Sequence, residues 1–278
     1  MKVVETVEEV RASRWADPAP TWGLVPTMGA LHEGHLSLVR RARAENECVG
    51  VSIFVNPTQF APGEDLERYP RPLEQDLALL EAEGADLVWT PTPEHVYPPG
   101  FQTRVTVEEV AKPLEGAARP GHFVGVATVV AKLFNVFQPT RAYFGQKDAQ
   151  QVAVLRRMVQ DLNFNLEMVV CPTVREPDGL AMSSRNRYLN PDERKAATAL
   201  YRALTAAQSA WESGRRDGEA LRRAMLGVLD GEPLARVVYV SAADPDTLAE
   251  IDGEATRALL SMAVTVGQTR LIDNLPLE

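Results

Sequence analysis

The stretch Trp22-Gly23-Leu24-Val25-Pro26-Thr27-Met28-Gly29-Ala30-Leu31-His32-Glu33-Gly34-His35 decides how this chain is read. Trp22–Val25 is an apolar run of strand character. Pro26–Ala30 breaks it with a turn, and Leu31, Leu38, Val39 and Ala42 then recur at helical spacing. A strand that turns into a helix N-terminus is a ready anion site. The first backbone N–H groups of a helix lack internal partners, and the helix dipole favours negative charge there. Two of the chain's four histidines, His32 and His35, fall inside this stretch, which makes it a phosphate-site candidate.

The same alternation continues outward. Cys48–Val55 is nearly all apolar, as a strand covered on both faces is. Leu73, Leu77 and Leu80 mark a helix that stops near Gly84, Asp86–Thr90 reads as a short strand, and Pro91, Pro93, Pro98 and Pro99 predict a loop that holds His95. Val126, Val130, Leu133, Phe134 and Phe137 form a helix stripe. A strand at Ala142–Phe144, a helix through Val152, Leu155, Val159 and Leu162, and a strand at Leu166–Cys171 follow. This pattern predicts the α/β class, with a Rossmann-like doubly wound parallel sheet. Ligands of such sheets bind beyond the carboxyl ends of the strands, so the loops after Val25, Val55, Phe144 and Cys171 are the ones to search. Beyond Pro172 the character changes. Pro191–Ser213 reads as one long helix and Asp217–Leu229 as another, with strands at Arg236–Ser241, Arg257–Val266 and Thr269–Ile272. We therefore expect one domain over residues 1–173 and a smaller C-terminal α+β domain over 174–278.

A net charge of −9 and a pI of about 5.1 argue against non-specific nucleic-acid binding, which needs a large basic surface. Cys48 and Cys171 both lie in strand-like runs and read as core thiols rather than a disulfide framework. No apolar run approaches the ~20 residues of a membrane span, and Met1-Lys2-Val3-Val4-Glu5 lacks a signal-peptide core. The expectation is a cytoplasmic protein with no membrane or nucleic-acid partner.

Each of the candidate loops carries polar chemistry. His32 and His35, at i and i+3, share a helix face, where their ring N–H groups can donate to phosphate oxygens. A zinc reading is weaker, because the spacing is not the i, i+4 of His-Glu-x-x-His and no Cys or His cluster supplies further ligands. Past the second strand, Asn56-Pro57-Thr58-Gln59 offers two side-chain amides suited to a small ligand with hydroxyl and carboxylate groups. Gly145-Gln146-Lys147-Asp148 repeats the strand–turn–helix theme; Lys147 can neutralise phosphate charge, and Asp148 suits a helix start. Met182-Ser183-Ser184-Arg185-Asn186-Arg187 reads either as a dense set of anion donors in a loop able to close over phosphates or as a Ser-rich hinge. Arg119-Pro120-Gly121-His122 precedes the apolar helix, placing His122 to cap it or to contact ligand. No P-loop, Gly-x-Gly-x-x-Gly fingerprint or Gly-x-Ser-x-Gly elbow occurs, so the chemistry suggested is phosphate handling without a covalent enzyme intermediate.

Together these strings resemble the pantoate–β-alanine ligase (pantothenate synthetase) family: PTMGALHEGH at 26–35, FVNPTQF at 54–60, GQKDAQQ at 145–151 and VREPDGLAMSSRNR at 174–187. The histidine pair and the Met-Ser-Ser-Arg loop also resemble the signatures of the wider HxGH nucleotidyltransferase superfamily. The resemblance implies a Rossmann-like nucleotide- and pantoate-binding domain, a C-terminal lid and a homodimer. The implied reaction condenses (R)-pantoate with β-alanine using ATP and Mg2+, giving pantothenate, AMP and diphosphate through a pantoyl-adenylate. Carried over by position, Met28, Gly29, Ala30, Leu31, His32, Glu33, Gly34 and His35 contact ATP. So do Gly145, Gln146, Lys147, Asp148, Val174, Met182, Ser183, Ser184 and Arg185. Gln59, Gln151 and Asn56 contact pantoate, and Gln59 contacts β-alanine. His35, with His32, Lys147, Ser183, Ser184 and Arg185, is the expected catalytic set, and Asp76 is a candidate magnesium carboxylate. The rival readings are another HxGH-type nucleotidyltransferase and a non-catalytic nucleotide sensor. The sensor would be expected to lose His35, Lys147 or the Ser-Ser-Arg loop, and all are present.

Overall fold

A computed structural model describes residues 1–17 and 20–278. Its elements are, through the middle of the chain, β1 (Lys2–Val4), α1 (Val7–Arg14), β2 (Trp22–Thr27), α2 (Glu33–Glu45), β3 (Cys48–Ile53), α3 (Leu73–Ala82), β4 (Leu87–Trp89), α4 (Pro93–Val96), α5 (Glu115–Ala118) and α6 (His122–Phe137). Then come β5 (Arg141–Gly145), α7 (Ala149–Asp161), β6 (Glu167–Cys171), α8 (Pro191–Ala196), α9 (Ala199–Glu212), α10 (Gly218–Leu229), β7 (Ala235–Ala243), β8 (Ala258–Val266) and β9 (Thr269–Leu277). The chain divides into two compact units. Met1–Glu108, Arg119–Gly145 and Val154–Pro172 form the first, and Glu109–Ala118, Gln146–Ala153 and Thr173–Glu278 form the second.

In the first unit six parallel strands lie in the order β1-β4-β3-β2-β5-β6. The chain winds outward from β2 through β3 and β4, then returns to the other side of β2 with β5 and β6. The topological switch point therefore lies at the carboxyl ends of β2 and β5. β2 pairs with β3 all the way to Thr27, whereas its register with β5 ends at Leu24. Pro26, which has no N–H to donate, sits where the second ladder has already stopped. The strand thus runs two residues past the Val25 end that the proline suggests.

Leu24, Val25, Val39, Val49, Val51 and Leu80 are fully buried in the core of this unit. Burial of one such side chain contributes ~1.5–3 kcal/mol. The proline-rich stretch expected as a loop contains α4: Thr92 caps it, Pro93 takes the first position where no N–H is missed, and His95 closes a capping box. Cys171 is buried as expected, but Cys48 is only half-buried at the start of β3; both are free thiols.

The second unit has an antiparallel sheet, β7-β8-β9, packed with α9 and α10 around Leu200, Leu204, Leu221, Met225, Leu260 and Val264. The expected single helix over Pro191–Ser213 is two. Thr198 Oγ1 donates to the Lys195 carbonyl at 2.8 Å, a local bond that competes with the helix ladder between α8 and α9. α5 belongs to this unit through Glu115, which is 6% exposed. The Arg270 guanidinium donates to both oxygens of Glu115 at 2.7 and 2.6 Å, and the Tyr239 hydroxyl donates at 3.0 Å. Burial, and then the Glu115 charge, push the Tyr239 phenol well above its ordinary range.

Gly125, in the first turns of α6, meets the turn at Pro57–Gln59 so closely that a β-carbon would lie 2.4 Å from the Thr58 carbonyl oxygen. Gly125→Ala should therefore cost roughly 1–3 kcal/mol through overpacking. A lowered urea midpoint at unchanged slope checks this, and an unchanged midpoint contradicts it.

Candidate active site

The loop after β2 is built by backbone strain and a buried carboxylate. Gly29 and Ala30 both take left-handed conformations, with φ of 79° and 50°. A β-carbon on Gly29 would meet the Asp76 carboxylate at 2.9 Å. Ala30 has no such freedom, and its conformation persists because the surroundings over-determine it. Asp76, on α3 and 1% exposed, accepts from the N–H groups of Ala30 and Leu31, each at 2.8 Å. The Asp76 carboxylate, a candidate magnesium ligand by sequence, thus turns both oxygens to backbone donors of this loop.

This loop delivers His32 to the N-cap of α2. His32 Nδ1 accepts from Gly34 N at 3.1 Å, and His32 N donates to His35 Nδ1 at 3.4 Å, a capping box made of two imidazoles. The ring centroids are 4.1 Å apart. Because each Nδ1 accepts from a backbone N–H, the proton of each neutral ring resides on Nε2. The shared face expected from the i, i+3 spacing is thus realised with a defined tautomer. Glu33 is exposed and ion-pairs with Arg40.

After β3, Asn56 is 1% exposed and fully engaged within the protein. Its Nδ2 donates to Gln59 Oε1 at 3.0 Å and to the Gly125 carbonyl at 3.2 Å. Its Oδ1 accepts from Thr58 Oγ1 at 2.9 Å and from the Tyr97 hydroxyl at 2.8 Å. Asn56, proposed as a pantoate residue, orients Gln59. The Gln59 amide is thereby fixed with its oxygen inward, and Nε2 donates toward Met28 Sδ at 3.2 Å. This brings together two of the predicted residues, Met28 and Gln59, from the ends of neighbouring strands.

Arg119 and His122 hold the same turn from the other side. The Arg119 guanidinium forks onto Glu64 at 2.7 and 2.6 Å. His122 Nδ1 lies 2.8 Å from the Gln59 carbonyl oxygen and must donate to it, which leaves Nε2 to accept from Arg119 Nη1 at 3.1 Å. The ring of His122 is therefore turned to the Gln59 turn, and the N-cap of α6 is Gly121. Burial raises the Glu64 carboxyl pKa, but the hydrogen bonds and charge of Arg119 outweigh it and hold the group below its ordinary 4.5.

Gly145 ends β5 in the first unit, and the second unit holds the remaining predicted residues. Gln146–Asp148 is a 3-10 turn that feeds α7, with Lys147 Nζ 4.0 Å from Asp148 Oδ1. Val174 and Met182 face each other across a hairpin, Met182 N donating to the Val174 carbonyl at 3.0 Å. Ser183 caps the 3-10 turn Ser184–Tyr188, its Oγ accepting from Arg185 N at 3.3 Å. Gln151 is half-buried near the start of α7, while its neighbour Gln150 is structural, donating to the Val110 and Pro113 carbonyls.

A doubly wound parallel sheet, with a histidine pair at the N-terminus of the helix at its switch point, defines an α/β protein of the Rossmann-like class. Comparison with known proteins narrows that class. A model of the pantoate–β-alanine ligases matches residues 2–276. A pantothenate synthetase of Roseiflexus sp. (strain RS-1) is 64% identical over 278 residues, covering 100% of both chains. A crystal structure of pantothenate synthetase from Thermus thermophilus has a TM-score of 0.94 at 52% identity and 99% coverage of each chain. The pantoate–β-alanine ligase of Francisella tularensis, solved with beta-gamma ATP and β-alanine, has a TM-score of 0.81 at 36% identity and covers 99% of this chain and 97% of its own. The chain belongs to the pantoate–β-alanine ligase family, carbon–nitrogen ligases that use ATP to condense pantoate with β-alanine. No helix among the described residues is long and apolar enough to cross a membrane.

Two outcomes follow from this geometry. Asp76→Asn turns an amide N–H toward a backbone N–H and should cost about 1–3 kcal/mol, the scale of a buried donor left unpaired; chemical denaturation measures it. Because the Glu64 carboxyl is held below its ordinary 4.5 in the folded state, its contribution to stability is complete above that value and is lost as pH falls through the lower, folded value. Arg119→Gln should therefore flatten the acid limb of the stability–pH curve below about pH 5. An unaltered acid limb contradicts the pairing.

Proposed function

We propose that the chain carries out the family reaction in two steps, using the residues assigned by motif position. The pantoate carboxylate attacks the α-phosphorus of ATP, and diphosphate leaves. The β-alanine amine then attacks the acyl carbon of the pantoyl-adenylate, and AMP leaves. A carboxylate cannot expel oxide, so adenylation supplies the leaving group. Both steps depend on placing reactants and on donors aimed where charge grows. Met28 to His35, Gly145 to Asp148, Val174 and Met182 to Arg185 serve ATP. Gln59 and Gln151 serve pantoate, and Gln59 also serves β-alanine.

The observation that carries this reading is the capping box of the histidine pair. With each Nδ1 committed to a backbone N–H, Nε2–H is the donor that His32 and His35 offer to phosphate oxygens. The fixed amide of Gln59 likewise offers N–H rather than C=O, as a carboxylate or hydroxyl oxygen requires. Lys147, Ser183, Ser184 and Arg185 add donors for the charge that develops on phosphate.

Bound with ATP, Mg2+ would neutralise charge on the departing diphosphate. The Asp76 carboxylate does not fit as its ligand: it is 1% exposed and accepts two backbone N–H bonds. Among the described residues no group of three or more His, Cys, Asp or Glu side chains is arranged to cage a cation. We further propose a cytoplasmic homodimer and a C-terminal lid role for residues 174–278.

His35→Ala should slow adenylate formation by ~10²-fold or more, the usual effect of losing a positioned donor. Single-turnover diphosphate release with pantoate and ATP measures it, and a normal rate contradicts the role. Gln59→Ala should weaken pantoate binding and spare ATP affinity. Equal loss for both ligands would count against its assignment.

A further inference from the structure

β9 carries two adjacent polar residues that the proposed chemistry does not use. Asp273 and Asn274 are 2% and 3% exposed, a costly placement unless every polar atom is matched. Successive strand residues point to opposite faces, and here each of the two grips a different predicted ATP segment of the second unit. Asn274 Nδ2 donates to the carbonyls of Gln146 at 2.9 Å and Lys147 at 2.8 Å, using both its hydrogens. Its Oδ1 accepts from Gln146 Nε2 at 2.9 Å. Asp273 receives the fork of Arg175 at 2.6 and 2.9 Å. Arg175 also donates to the Gly179 carbonyl at 3.0 Å and stacks 4.5 Å over the Tyr201 ring. It bridges Ala181 in the hairpin that leads to Met182.

Peptide planarity gives the Asn274 contacts a consequence. In a trans peptide the carbonyl oxygen and the following N–H point in opposite directions. Two carbonyls drawn toward Asn274 therefore fix both peptides of the 3-10 turn and turn the Lys147 N–H, in its first turn, away from β9. An N–H in the first turn of a helical segment favours anions.

We infer that Asp273 and Asn274 are positioning residues for the nucleotide. Asn274 fixes the turn that carries Lys147 and aims its amide, and Asp273, through Arg175, sets the hairpin that carries Met182 to Arg185. This rests on the reading of Gln146–Asp148 and Met182–Arg185 as ATP-binding.

Steady-state kinetics of the full chain test it. Asn274→Ala should raise KM for ATP roughly tenfold or more, the scale of a small misplacement in a preorganised site, with KM for pantoate within about twofold of the parent. Asn274→Asp keeps the volume but loses both donors and should behave like Asn274→Ala; a packing role would leave it near the parent. Arg175→Lys keeps the charge without the fork and should give the same ATP-selective rise, which keeps the test open if the Asn274 variants fail to fold. Lys147→Ala separates the two levels. If it leaves ATP affinity unchanged, the ATP reading of the turn fails. If it weakens ATP while the Asn274 and Arg175 variants do not, or if those variants raise both KM values equally, the positioning role is overturned.

Discussion

The grip of the Asp76 carboxylate on the Ala30 and Leu31 amides is the interaction on which the histidine site depends. β2 ends in a turn whose residues take left-handed backbone conformations, one of them an alanine. Without a partner that turn would relax toward ordinary conformations, and His32 would no longer begin α2 at the N-cap. A single buried carboxylate answers two backbone donors at once. It thereby converts a strained turn into a fixed platform, and both imidazoles take their tautomer from the backbone of that platform. The charge on Asp76 serves the loop first, so a role as a metal ligand does not follow from its being acidic and close by.

The same device recurs wherever a strand end must hold a side chain ready. Asn56 and the Arg119–Glu64–His122 cluster orient Gln59 from two directions, and Asp273–Asn274 hold the two predicted nucleotide segments of the second unit. In each case a buried or half-buried polar neighbour, hydrogen-bonded within the protein, fixes the residue proposed to meet ligand. Binding elements of this kind need little rearrangement at the moment of reaction, which is where electrostatic preorganisation acts. Mutating these buried neighbours is therefore a sharper probe of positioning than mutating the ligand contacts themselves.

Much of this is legible in the residue order. Apolar strands alternating with helical stripes specify the parallel sheet and single out the loops after its strands, whereas the reversal of strand order at β2 is seen only in the fold. What the order does not reveal falls into two kinds. Orientation is hidden: the spacing of His32 and His35 places them together but does not say which ring nitrogen faces the backbone. Long-range polar pairing is hidden as well. Asp76 lies 46 residues from Ala30, and Glu64 lies 55 residues from Arg119, separations at which no local pattern reports. The hydropathy pattern stops β9 at Ile272 because Asp273 and Asn274 interrupt its apolar alternation. Those two residues are buried polar anchors inside the strand, and burial of a matched polar group leaves no mark in hydropathy. The segments 109–118 and 146–153 join the second unit for the same reason, through Glu115 and Asn274.

The central claim is that the pantoate carboxylate becomes an acyl-adenylate before the amine arrives. Pantoate labelled with 18O in its carboxylate tests it directly. One carboxylate oxygen must become the bridge to phosphorus and stay there when the amine displaces it. Turnover with ATP and β-alanine should therefore place one 18O in AMP and none in diphosphate. Unlabelled AMP, or label in a phosphate cleaved from the other end of the nucleotide, would contradict the account.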